Sequence, residues 1–246
     1  MINRMLEEQL AQKIADSGKE MNVKMFLPLD NLFRIFSNDD YFAVAIANAF
    51  TWASYAVNNK DNYFKFAINY LTTGNTASLM EVGVFSGQFG PEKLISGLQG
   101  WKFIIDQLGK QNFQSCSAGE LYNIQNECLL IANQKQPLGI GPWLFCAPFK
   151  IVAIQRNDLW GSEDLDDVLM PLGTKVIRGV KKLIQQGCTY TQSLDINMFS
   201  EEEGGLKEGI GTAKLVQDIS KKIAKISKTR VLHINSGLYL YGKEET

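Results

Sequence analysis

The chain has 246 residues, 45% of them apolar and 21% charged, with a formal net charge of −1. That length supports one large or two small globular domains with a substantial core. The balanced charge gives no global attraction to polyanions, so nucleic-acid binding has to come from a locally basic face.

No run of ~18 apolar residues is present, and Met1–Glu8 lacks the apolar centre of a secretory signal. A cytosolic location without a membrane span is therefore expected. Cys116, Cys128, Cys146 and Cys188 fit no zinc spacing and are read as reduced thiols. The single histidine, His233, argues against a His-based metal site or a Ser-His-Asp triad. Acid–base chemistry is left to carboxylates, with neither metal nor cofactor expected.

Helical spacing opens the chain, where Ile2, Met5, Leu6, Leu10 and Ile14 recur over residues 2–16. Pro28 interrupts the next stretch, and Asp30 can cap a short helix over 31–36. Ser37-Asn38-Asp39-Asp40 is a second start signal, ahead of a helix over Tyr41–Val57. That helix is apolar nearly all round, which places it centrally, with Trp52 and Tyr55 either in the core or stacked on a base.

A turn at 58–61 and a helix over Tyr63–Leu71 follow. Between Thr72 and Pro91 the chain is rich in Gly, Ser and Thr and reads as a long loop or a short hairpin. Helical spacing returns over 92–108, and Ser117 can cap a helix over 118–133.

Gln136-Pro137-Leu138-Gly139-Ile140-Gly141-Pro142-Trp143 then forms a Gly-Pro hairpin, leading into a helix over Pro142–Ile154 with a kink expected at Pro148. The acidic run Glu163–Asp167 precedes Met170-Pro171-Leu172-Gly173 and a helix to about Gln186. Glu201–Gly205 reads as a solvated loop. Over Thr212–Lys228, Leu215, Ile219, Ile223 and Ile226 form one stripe opposite Lys214, Lys221, Lys225 and Lys228. Val231–Tyr241 alternates like a strand, yet its context suits a short helix. Nearly every segment is helical, so the expected fold is all-α: a single unit over 1–246, in two lobes built partly from non-contiguous segments.

Three pieces in order, the hairpin, Met170–Arg178 and the tail Val231–Gly242, resemble the helix-hairpin-helix DNA glycosylase superfamily, most closely its archaeal 8-oxoguanine glycosylase branch. The resemblance covers roughly residues 118–242; residues 1–117 carry no matching motif. It implies a duplex DNA partner with an extruded base, and it places Asn235 and Tyr239 where the family has an acidic residue and an aromatic. On a helix these two share a face, one able to hydrogen-bond a base edge and the other to stack. Gly139 and Gly141 would let backbone amides approach a phosphate.

Lyase members of that superfamily attack the sugar with a lysine just after the hairpin and steady the developing charge with an aspartate after the Pro-hydrophobic pair. This chain has Trp143 and Gly173 at those places. The resemblance thus implies simple hydrolysis of a modified base, in repair or in defence against modified phage DNA. The missing carboxylate would come from Asp166, Asp167 or Asp158, residues that otherwise cap and solvate a helix start.

Trp143 can stack on a flipped base or fill core space, and Lys150, seven residues on, is a replacement cation or amine. Lys175, Arg178 and Lys182 share one helical face, fit for phosphates or for solvent alone. His233 is read as a local hydrogen bond at the start of the last helix. Two further readings stand beside hydrolysis of DNA: a hydrolase of a non-DNA nucleotide, and a catalytically silent nucleic-acid-binding or interaction protein. No obligate protein partner is evident.

Overall fold

The computed structural model describes residues 4–26, 41–53, 60–77, 90–113, 115–134, 139–155, 167–192, 194–199 and 206–244. Within them the chain is helical throughout, without a strand. The helices are α1 (Arg4–Phe26), α2 (Tyr41–Ala53), α3 (Lys60–Thr73), α4 (Gly90–Leu108), α5 (Ala118–Gln134), α6 (Pro142–Gln155), α7 (Thr174–Gln185), α8 (Leu206–Ser227) and α9 (Val231–Tyr241). Single 3-10 turns sit at Thr189–Thr191 and Ile196–Met198. No helix among the described residues is long and apolar enough to cross a membrane. The sequence signals at 31–36, 54–59, 78–89 and 201–205 fall outside the described residues, as does Trp52 as a side chain.

Local chemistry accounts for the helix boundaries. At the start of α5 the Ser117 hydroxyl accepts from the Glu120 amide at 3.2 Å, while Glu120 Oε2 accepts from the Ser117 amide at 2.6 Å. Two otherwise unpaired amides are thereby satisfied reciprocally, and the bonds from Ser117 hold the Glu120 carboxyl below the usual carboxylate range. Helix α6 carries through Pro148. Proline has no amide to give the Leu144 carbonyl, and the Trp101 indole fills that role from α4 at 3.3 Å.

Two elements differ from the sequence expectation. Helix α1 runs on to Phe26, across Ser17-Gly18, and α8 begins at Leu206 rather than Thr212. Of the two readings open for Val231–Tyr241 the structure takes the helix, with Val231 to Leu238 all buried and no strand among the described residues to pair with.

Helix α9 is the axis of the fold, packed against α1 on one side and α7 on another, with α8 and α6 completing its cover. Its closest crossings are made by paired glycines. A Cβ on Gly237 would overlap the Ile14 carbonyl, and one on Gly18 the His233 carbonyl. At the other crossing, a Cβ on Gly242 would overlap the Lys175 carbonyl, and one on Gly179 the Leu238 carbonyl. The first helix of the chain thus joins the last three, and α2, α3, α4 and α5 assemble separately around α6.

An aromatic cluster fills that second group. Phe42 stacks on Phe113 at 4.1 Å, Trp101 lies parallel to Phe145 at 5.7 Å, and Phe149 tilts against both Phe42 and Trp101. Burying each such ring contributes about 1.5–3 kcal/mol. Helix α6 is shared between the two groups, so whatever it carries on its α9 side sits at their junction.

Candidate active site

Residues 168–173 run without regular structure, yet every one of them is buried. A backbone in that position must find hydrogen-bond partners outside secondary structure. Gln125 of α5 supplies two: its Nε2 donates to the Leu169 carbonyl at 3.0 Å, and its Oε1 accepts from the Leu169 amide at 2.7 Å. Gln217 of α8 makes a similar clamp one residue to each side, donating to the Val168 carbonyl at 2.9 Å and accepting from the Met170 amide at 3.3 Å. Asn235 of α9 donates to the Pro171 carbonyl at 2.9 Å. Three buried amide side chains therefore fix the segment and, beyond it, the start of α7.

That start is Gly173, the N-cap of α7, in extended conformation with no side-chain cap. Any of Ser, Thr, Asp or Asn would cap there, so glycine forgoes a stabilising bond at this position.

The other side of Asn235 faces Lys150. Lys150 is 7% exposed, and its Nζ donates to Asn235 Oδ1 at 2.7 Å and to Ser236 Oγ at 2.6 Å. Ser236 in turn donates to Asn22 Oδ1 of α1 at 2.5 Å. Asn22 Nδ2 lies 3.0 Å from His233 Nδ1 and 3.4 Å from the Leu232 carbonyl. Since the amide nitrogen can only donate, His233 Nδ1 accepts and the ring is neutral with its proton on Nε2.

Among the described residues no carboxylate belongs to this cluster. Burial alone pushes the Lys150 ammonium from its ordinary value down to about 7. Burial, then the positive charges of Lys150, Lys19 and Arg230, push His233 down to about 4. Its hydrogen bond reaches across to α1 instead of fixing the local start of α9, which corrects the expectation for this residue.

Of the candidate residues, the structure brings Lys150, Asn235 and the Met170-Pro171 segment into one hydrogen-bonded group. Tyr239, one turn beyond Asn235, is half-buried, with Lys175 Nζ 5.1 Å from its ring centre and 3.4 Å from its hydroxyl. Trp143 is half-buried and packed against the core. Gly141 provides the carbonyl for the first hydrogen bond of α6, from Phe145 at 3.0 Å. Gly139 has φ +65°, and a Cβ there would overlap Ser96 of α4. Gly139 thus has a local structural reason of its own.

Lys182 donates to the Tyr241 carbonyl at 3.2 Å and the Glu244 carbonyl at 2.5 Å, capping the end of α9, while Arg178 is exposed on the same face of α7. Asp167 is exposed and bonded to Lys221 at 2.9 Å. Asp158 and Asp166 lie outside the described residues. Among the described residues no group of three or more His, Cys, Asp or Glu is placed to hold a metal ion.

Sequence reasoning missed Gln125, Gln217, Asn22 and Ser236. Polar residues inside apolar helical stretches are the available signal for the first two and for Ser236, because a buried amide or hydroxyl has to serve some backbone or side chain. Asn22 gives no comparable signal in a mixed amphipathic helix. No family model matches this chain, and neither a curated protein nor a solved structure matches it.

Proposed function

We propose that the chain is a monofunctional N-glycosidic hydrolase with a helix-hairpin-helix glycosylase fold, acting on a modified base in DNA. One observation carries the reading. Two of the three segments that resemble that superfamily are far apart in the chain and meet directly, Asn235 of the tail donating to the Pro171 carbonyl of the Met-Pro segment at 2.9 Å, and the helix that follows the hairpin brings Lys150 to the same Asn235 at 2.7 Å.

In this reading the base is extruded from the duplex toward Tyr239 and Lys175. A carboxylate of the Asp158–Asp167 stretch steadies the sugar as the C1′–N bond breaks. Water adds at C1′, and the departing base takes the electron pair and a proton. With Trp143 after the hairpin, no amine stands at the place where the superfamily forms a covalent sugar adduct, so the product is an abasic site in an intact strand.

A second reading, a silent nucleic-acid-binding module, draws on a separate observation. The described cluster contains no carboxylate, Gly173 leaves the N-cap of α7 without a side chain, and Asp167 is turned out to Lys221. Incubation with duplexes carrying oxidised, alkylated, hydroxymethylated and glucosylated bases separates the two. Release of one base class supports the hydrolase. DNA binding with no release from any of these duplexes supports the module.

A further inference from the structure

Lys150 is the only charged residue of α6, and α2, packed against it, carries none. Its ammonium has two neutral acceptors, both on α9, and no carboxylate partner among the described residues. One of those acceptors, Ser236, is passed on to Asn22 of α1. A buried charge held only by neutral groups disfavours the charged form, and the first helix closes the cluster from outside. Undocking α1 would remove Asn22 and open Ser236 and Lys150 to water.

We infer that the Lys150–Ser236–Asn22 chain is a proton-linked clasp, which loosens the seating of α1 on α9 when Lys150 is protonated and tightens it when Lys150 is the neutral amine. This reading shares Lys150 with the glycosidic one but concerns the docking of a helix, and its test needs no substrate.

The other titratable and charged groups around the cluster can be separated from it. His233 on α9 titrates near 4, well below the Lys150 range. Lys19 of α1 and Arg230 at the start of α9 are cations that act on His233. Residues 168–173 carry no charged side chain. From α8 the groups facing inward at 216, 217 and 220 are Val, Gln and Ser, and α5 presents Gln125 to the same segment.

The sign follows from the two protonation states. With α1 docked, burial holds the amine near 7, and water admitted by undocking moves it toward the ordinary value of 10.5, which sets the upper limit of the effect. Between those values the open state holds the extra proton, so opening is favoured as pH falls and becomes level below about pH 7. From about pH 9 to about pH 7 the opening equilibrium should rise about 50-fold, or about tenfold if the docked value lies a unit higher.

Amide hydrogen exchange of residues 4–26 at these two pH values, corrected for intrinsic exchange, measures the opening directly. The expected result is a loss of protection of about tenfold or more at the lower pH, absent from Lys150→Met, whose side chain has similar length and no charge. Equal corrected protection at both pH values, or the same pH dependence in Lys150→Met, overturns the clasp. Should that variant not fold, an NMR titration of the lysine Cε signals in the unaltered protein decides. A lysine midpoint near 7 supports the proposal, and all lysines titrating near 10 overturns it.

Discussion

Replacing Gln125 by Leu tests how the buried 168–173 segment is held. The side chain is 1% exposed, and its amide satisfies both the amide and the carbonyl of Leu169. Leucine has nearly the same volume, so little cavity forms, but two buried backbone groups lose their partners. Each such orphan costs about 1–3 kcal/mol, and the added apolar burial returns about 1 kcal/mol, leaving a net loss of about 1–5 kcal/mol. For a chain of this size that lowers the melting temperature by about 2–20 °C. Denaturant unfolding of Gln125→Leu beside Gln185→Leu, an exposed control on α7, measures the difference. A loss below ~0.5 kcal/mol for Gln125→Leu would mean the segment finds other partners, and the account of how α7 is placed would fail.

The glycine crossings make opposite demands at two positions. Gly237→Ala should cost about 3 kcal/mol or more by denaturant unfolding, because its Cβ meets the α1 backbone, whereas Gly119→Ala, with open space around it, should stabilise α5 by about 0.5–1 kcal/mol. Ser117→Ala removes one half of the reciprocal cap and should cost about 1 kcal/mol in the same measurement. His233 is neutral in the folded protein and titrates near 4, below its ordinary 6.5, so the stability it contributes is present above about pH 6.5 and is lost as pH falls toward 4. NMR of the single histidine ring checks this directly, since a midpoint at or above 6.5 contradicts the buried neutral tautomer.

Much of the helical framework was legible because its signals are local. Ser117 followed three residues later by Glu120 is a cap written in four residues, whereas residues 136–138 of the Gly-Pro hairpin lie outside the described residues. The terminal segment shows the limit. Val231–Tyr241 alternates as a strand would, and only the helices packed around it decide the matter. Gly18, beyond the helical spacing read over residues 2–16, is needed by its neighbour α9.

The candidate cluster was legible in part. Asn235 stood out because it lies in a resembling segment, and Lys150 as a cation seven residues after Trp143. Asn22, which joins the cluster through Ser236, lies more than 200 residues from its partners Ser236 and His233 in sequence and is ordinary in its own helix. The resemblance also pointed to hairpin glycines as phosphate contacts, where the structure gives Gly139 a positive φ and a close neighbour in Ser96.

The central claim is that the chain breaks a base–sugar bond without breaking the strand. Mass-spectrometric detection of free base from modified duplexes, with the strand followed before and after alkali and a borohydride trap run alongside, tests it most directly. The account predicts free base from one class of modified duplex, strand scission only after alkali, and no trapped covalent complex. Bound DNA from which no base is ever released would contradict it.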